Sequence, residues 1–400
     1  MLDASVRLNL APATWRQSIL PKKRWRDHWL KGVDTGADTL PRLRCFITEN
    51  ARPEAHSNSD RTGAWFEYET WPPTKTQTLD YFLGPAGLMK QPCRGSDIVE
   101  TPAILGVDGG ELMPMGWGAD LPGDQRADDG LSKVFETEPL ANDISLLGHA
   151  RLELSLTSSQ PVAFLMARLC DVHPDGASTR VCYGAHNLTH GPDHSTVTIL
   201  EPGKPTRICL ELDATGYRFF QGHRLRLALS TTYWPLLWPS PRPVSLEIDF
   251  QDARLILPTL PPNSKSAEEF DLPAGATPRP RSCLAPAKFE RTVLSDQAQG
   301  KTVMRVCDTS AREYDQVRDI TTWGQTERSY VVSEDHTEAT MHITRDTNLI
   351  EGSVHLRTRT IVEFCSDEEN FHSTVTLEAW ENDSVVSERS WKDTSPRNGT

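Results

Sequence analysis

The segment Gly216–Pro241, GYRFFQGHRLRLALSTTYWPLLWPSP, decides what kind of fold this chain can adopt. Leu225, Leu227 and Leu229 alternate with Arg224, Arg226 and Ala228, a period of two that marks a half-buried strand. Gly222 stands just before it, where a turn needs a residue without a side chain. Tyr233, Trp234 and Trp238 follow, interrupted by Pro235, Pro239 and Pro241, and prolines at that density exclude a helix or a central strand. The spacing therefore predicts a bent, extended segment carrying the aromatics at a sheet's rim.

Working outward, the same alternation recurs at Leu43, Cys45 and Ile47, at Leu152, Leu154 and Leu156, at Ile208, Leu210 and Leu212, and at Val244, Leu246 and Ile248. Pro174-Asp175-Gly176 supplies the turn of a hairpin, and WFEYETWPP (65–73) reads as an aromatic strand ending in proline. Residues 84–120, rich in Gly, Pro and Met, are expected as a long surface loop. Residues 258–287 hold seven prolines and read as a linker. Beyond them, Val354, Leu356 and Thr358, then Val375, Leu377 and Ala379, predict an antiparallel β layer over 288–400. Near the N-terminus one helix is expected, with Pro21 suited to its first position, Gly32 to its stop, and Trp25 and Trp29 stacked at i, i+4. Two tryptophans on one short helix require a surface to bury against.

Many short strands with turn residues between them give a mainly β chain built on a sandwich. Alternation alone leaves a jelly roll and an immunoglobulin-like sandwich both open. At 400 residues the chain can hold two or three domains, and 37% hydrophobic with 24% charged residues is a soluble globular composition. A net charge of −13, with no basic run longer than Lys22-Lys23-Arg24, argues against nucleic acid or an anionic membrane as partner. No apolar window approaches a spanning length, and residues 1–20 carry no secretory pattern, so the expectation is a cytoplasmic protein. The eight cysteines form no C-x-x-C pair and read mostly as reduced core thiols.

The strand Gly-His-Arg-Leu-Arg-Leu (222–227) running into an aromatic-proline segment resembles the C-terminal jelly roll of the Xaa-Pro dipeptidyl-peptidase and cocaine-esterase family of serine hydrolases. Two further stretches carry the resemblance. In PGDQRADDGLSKVFETEPL (122–140), Asp124, Gln125, Arg126, Asp128, Asp129 and Glu138-Pro139-Leu140 follow the family's order, as do Asp171, Val172, Pro174, Asp175 and Gly176. RWRDHWLKGVDTG (24–36) resembles the last helix of the family's α/β-hydrolase domain and its exit into the jelly roll. The resemblance spans residues 21–257 and selects a jelly roll among the sandwiches. It divides the chain into a helical remnant of an α/β-hydrolase domain (1–39), the jelly roll (40–257), the proline-rich linker (258–287) and an antiparallel extension (288–400). The implied partner is an α/β-hydrolase catalytic domain, in cis upstream or in trans.

The family's chemistry rests on a Ser-His-Asp triad with its serine in a G-x-S-x-G elbow, and this sequence contains no such pentapeptide. The resemblance places the triad histidine upstream of the tryptophan helix, where residues 1–20 offer no histidine. No catalytic residue, cofactor or metal is therefore expected. His28 reads as a polar position on the helix, and His186, His190 and His194, though spaced by fours, are broken by Gly191 and Pro192 and read as a solvated loop. Asp124, Arg126, Asp128 and Asp129 lack the spacing of a calcium loop and are expected as a salt-bridged interdomain loop. The candidates for a substrate cleft or domain interface are Trp25, Trp29, His223, Tyr233, Trp234 and Trp238. Two functions are open: a non-catalytic β domain packing on a hydrolase domain, or a stand-alone binding module whose aromatic rim grips a sugar, peptide or protein. Exposed Trp25 and Trp29 favour the first; exposed Trp234 and Trp238, with the helix tryptophans tucked into the chain's own core, favour the second.

Overall fold

The computed structural model describes residues 19–55, 61–112, 121–191, 196–260, 267, 279–336 and 338–400. Helix α1 (Ile19–Lys31) leads through a short 3-10 turn (Ala37–Thr39) into strands β1 (Leu43–Glu49), β2 (Gly63–Tyr68), β3 (Gln77–Gly84), β4 (Gly87–Met89) and β5 (Ser96–Glu100). A one-turn helix α2 (Arg126–Gly130) precedes β6 (Lys133–Glu136), β7 (Ile144–Gly148), β8 (Arg151–Ser158), β9 (Phe164–Val172) and β10 (Ser178–Asn187). Then come β11 (Pro205–Glu211), β12 (Thr215–Phe219), β13 (Arg224–Ser230) and the long β14 (Ser245–Leu260). The C-terminal part holds β15 (Arg281–Ala285), β16 (Lys288–Asp296), β17 (Lys301–Thr309), β18 (Arg312–Asp315), β19 (Ile320–Ser333), β20 (Ala339–Glu351), β21 (Val354–Ser366), β22 (Asn370–Glu381) and β23 (Ser384–Pro396).

Two sheets face one another across the main core. One runs β11-β8-β14-β7-β12-β1-β2 with β3, β4 and β5 alongside; the other is the four-stranded β10-β9-β13-β6. All pairings are antiparallel except the short contact of β1 with β12. In β8 the alternation read from the leucines becomes geometry: Leu152, Leu154 and Leu156 are buried while Arg151 faces solvent. They meet Leu165 and Leu169 of β9 and Leu225, Leu227 and Leu229 of β13 in a single apolar cluster. Completing the hairpin, Gly176 takes the left-handed φ of +87° that its turn demands.

Strand β9 is buried along its whole length. Its inward residues enter the sandwich core, and its outward residues Met166 and Arg168 are covered by the polypeptide between β5 and β6. This corrects the expectation of a long surface loop over residues 84–120. That stretch contains β4 and β5, and Leu105 is fully buried against Met166 of β9 and Ala103 with Trp234 and the C-terminal sheet; residues 113–120 lie outside the described residues. Close approach explains the glycine content here: a Cβ on Gly106 would come within 2.5 Å of the Trp234 backbone.

The third sheet is a meander, β15-β18-β19-β20-β21-β22-β23, with the β16-β17 hairpin beside β19. Most of its side chains are only half-buried. It is a single layer, resting on the sandwich at one end. Of residues 258–287, the start continues β14 to Leu260 and the end forms β15, while 261–266 and 268–278 lie outside the described residues. All eight cysteines are free; Cys45, Cys170 and Cys182 are buried, whereas Cys209 and Cys283 are exposed.

Candidate functional surfaces and their buried support

His223 enters β13 directly after Gly222, which holds φ at +84°. The turn drives the imidazole into the sandwich, where Nδ1 lies 2.9 Å from Asp171 Oδ1 on β9. Asp171 Oδ2 accepts a 2.7 Å hydrogen bond from the Tyr217 hydroxyl on β12. The His173 ring packs on His223 with centroids 4.6 Å apart, and its Nε2 lies 3.2 Å from the Ala51 carbonyl oxygen. Burial pushes the His173 pKa below its ordinary value, against the pull of the Asp171 carboxylate.

Asp171, His173 and His223 could converge on a metal, since their ligand atoms lie within 4.8 Å of one another. The donors do not fit a resident ion: both Asp171 oxygens are engaged by His223 and Tyr217, and His173 Nε2 by Ala51 and Thr179. The cluster braces β9, β12, β13 and the exit of β1 against each other. Of its members His223 stood out in the sequence as a site candidate and Asp171 as part of the family pattern; His173 sits beside it in the DVHPDG turn motif, which was the available signal.

The acidic segment 124–129 is salt-bridged, as expected, but Arg126–Gly130 is helical rather than loop. It folds as α2 onto the outer face of the four-stranded sheet, with Asp128 and Asp129 buried. Arg168, fully buried at the centre of β9, is the reason: Asp129 Oδ1 lies 3.2 Å from its guanidinium, and Gln125 Oε1 accepts from it at 2.8 Å. Arg226 bridges Asp129 and Glu136. Asp128 accepts from the Gly106 amide at 3.1 Å, pinning the covering segment. Burial raises the Asp128 pKa to about 6, with Arg168 and the Gly106 amide opposing the shift.

The aromatic segment is bent, as its prolines dictate, with a cis Trp234–Pro235 peptide and a bridge between Tyr233 and Leu237. It continues from the end of β13, and Tyr233 and Trp234 are buried there. The Tyr233 hydroxyl donates to Gln125 Oε1 at 3.1 Å, beneath Leu105 and Met166. Trp234 is 1% exposed and joins Ala103, Met304, Tyr330, Val332 and Ala339. Trp238 is half-buried; its ring meets Phe364 edge-on at 4.8 Å and its Nε1 donates to Ser366 Oγ at 2.8 Å. These two tryptophans form the joint between sandwich and C-terminal sheet. Arg397 Nη2 donating to the Pro239 carbonyl and an Arg328–Glu111 ion pair at 2.9 Å reinforce it.

Trp25 and Trp29 present the opposite picture. Their rings lie 6.4 Å apart, tilted by 51° rather than stacked, and they are 48% and 56% exposed. Leu30 and Val33 are exposed nearby. The other side of α1 is held to its own exit: Arg24 Nε donates to the Thr35 carbonyl at 2.6 Å, and Asp27 pairs with Lys23 and Lys31. His28 packs edge-on against Trp29, at 4.7 Å. Its ring approaches Asp34 and Asp38 in a partly exposed group that carries no independent sign of an ion. His186 is in β10 and His190 in an isolated bridge, so no helix aligns them; His194 lies outside the described residues.

Comparison with known proteins covers the sandwich. The family model for the X-Pro dipeptidyl-peptidase C-terminal non-catalytic domain matches residues 35–273. A putative serine esterase of Mycobacterium tuberculosis is 25% identical over 232 residues, 52% of this chain and 35% of that protein. Cocaine esterase of Rhodococcus sp. is 24% identical over 230 residues, 53% of this chain and 38% of the relative. A putative Xaa-Pro dipeptidyl-peptidase of Streptomyces avermitilis is 27% identical over 270 residues, 56% and 37% of the two chains. The chain thus spans little more than a third of the length of these relatives. Among solved structures, an aminopeptidase from a marine sediment archaeon (Thaumarchaeota archaeon) superposes with TM-score 0.48 at 19% identity, covering 61% of this chain and 44% of that one. A Staphylococcus aureus CocE/NonD family hydrolase gives 0.47 at 13% identity, covering 62% and 46%. No helix among the described residues is long and apolar enough to cross a membrane. With more than half of its residues matched by one family model, this chain belongs to the family of the X-Pro dipeptidyl-peptidase C-terminal non-catalytic domain.

Proposed function

We propose that the chain acts as the β domain of a serine hydrolase of the dipeptidyl-peptidase or esterase type, packing on an α/β-hydrolase catalytic domain and helping to shape its substrate cleft. The observation that carries this reading is the exposure of Trp25 and Trp29 on α1, beside Leu30 and Val33. An apolar helix face immediately ahead of a folded sandwich is a surface made to be covered. Large aromatics at the centre of such a face contribute most of a contact's free energy. The binding-module reading required the reverse exposure, and Tyr233 and Trp234 are instead committed to the interior.

A separately expressed family-type catalytic domain should bind the chain at micromolar concentration by calorimetry. Trp25→Ala combined with Trp29→Ala should weaken that binding by roughly 30-fold or more, the effect of losing about 2 kcal/mol at one buried anchor. Both side chains project into solvent, so the variant should keep the wild-type thermal midpoint. Equal affinity of wild type and variant would remove α1 from the interface and with it the reading.

A further inference from the structure

Strand β23 is the terminal strand of the C-terminal sheet and pairs only with β22 among the described residues. Its outer edge offers a row of unpaired backbone donors and acceptors along Ser384–Pro396, a template for a further strand. Its side chains decide which strand fits. Within the chain, Glu388 stands directly opposite Glu378, a like-charge cross-strand pair, while Lys392 stands opposite Thr374. Among the described residues neither Glu388 nor Lys392 forms an ion pair. On the other face, Arg389 lies opposite Leu377 and Trp391, half exposed, opposite Val375.

We propose that β23 pairs antiparallel with β23 of a second copy of this chain, about a two-fold axis through Ser390. That register sets Glu388 of each copy against Lys392 of the other, and Arg389 against the Trp391 ring. Both unmatched charges of one sheet face gain a partner, and the other face gains two cation–π contacts. Moving the axis to Arg389 would oppose two arginines; moving it to Trp391 would set Arg389 against Asp393 but leave Glu388 facing Thr394 and Lys392 facing Ser390, with Glu388 still opposite Glu378. The Ser390 register pairs Glu388 with Lys392 on one face and Arg389 with Trp391 on the other, so the strand is complementary to itself there, which is the requirement of an isologous contact. Val385 and Val386, exposed toward one end, extend the edge contact.

Analytical ultracentrifugation of the full chain should show a concentration-dependent rise from 44.7 kDa toward twice that mass in the micromolar range. Glu388→Lys should weaken the dimer about tenfold or more, because two attractive cross-strand pairs become repulsive. The substitution also places a lysine opposite Glu378, which favours the folded monomer, so lost association cannot be ascribed to lost folding. Adding Lys392→Glu to Glu388→Lys should restore the wild-type dissociation constant. A chain that stays monomeric throughout the micromolar range would overturn the proposal. So would a dimer indifferent to Glu388→Lys.

Discussion

At the scale of single residues, Asp128 makes the molecule's pH response readable. Its carboxyl is buried, and its pKa is raised to about 6 by desolvation from an ordinary 3.8. The folded chain therefore holds this proton where the unfolded chain has released it. Its contribution is fully present below about pH 4 and is lost as pH rises through 6, on the order of 3 kcal/mol for a shift of this size. Asp128→Asn keeps an oxygen for the Gly106 amide and removes the titration. Calorimetric unfolding at pH 4.5 and 7.5 should show the variant gaining on the wild type at the higher pH. A pH-independent difference would mean that Arg168 neutralises the carboxylate more fully than its burial suggests. His223 allows the complementary test of frame against cleft. His223→Leu leaves the Asp171 carboxylate with the Tyr217 hydroxyl and the more distant His173 only, and should cost about 2–4 kcal/mol. His223→Asn, whose amide nitrogen falls near the position of Nδ1, should recover much of that loss. If His223 instead serves a substrate cleft, both variants will unfold like the wild type.

At the scale of elements, the joint is the informative part. Trp238 packs edge-on against the stacked rings of Phe364 and Phe371 and donates to Ser366, so Trp238→Ala removes the ring that holds β21 and β22 to the sandwich. A cost of about 3–4 kcal/mol is expected for an aromatic so placed. Limited proteolysis should then cut within residues 281–400 first and leave the sandwich intact; uniform digestion would show that the sheet is held elsewhere. Which elements were legible in sequence follows from the same geometry. Strands with one face on the core, such as β8 and β13, announce themselves by period-two leucines. The segment carrying Ala103 and Leu105 does not, because it is buried by crossing a sheet's outer face, with small residues and glycines at irregular intervals. Arg168 in β9 and the buried Asp128 and Asp129 escaped for a related reason: charges read as surface until their partners, 22 or more residues apart in sequence, are brought together. Tyr233 and Trp234 showed their bend but not their burial, since the covering chain comes from distant segments.

At the scale of the whole molecule, the two halves are stabilised by different means. The sandwich has a continuous apolar core drawn from both its sheets. The C-terminal sheet has no second layer of its own among the described residues; its strands β20, β21 and β22 are largely half-exposed, and its buried side chains cluster where Trp234 docks. Backbone hydrogen bonds are its main internal support, and each contributes only about 1 kcal/mol net. Native-state hydrogen exchange should therefore resolve two levels of opening. Amides of β8, β9 and β13 should exchange only through global unfolding, while those of β21, β22 and β23 open at lower free energy. Arg397, buried and with its pKa pulled down to about 10 by desolvation, anchors the far end through the Pro239 carbonyl. Arg397→Ala should accordingly speed exchange of β22 and β23 while leaving β8 unchanged. A single free energy shared by all these strands would show that the joint couples the halves into one cooperative unit. In that case the aromatic segment 233–238, rather than either sheet, would carry the cooperativity of the fold.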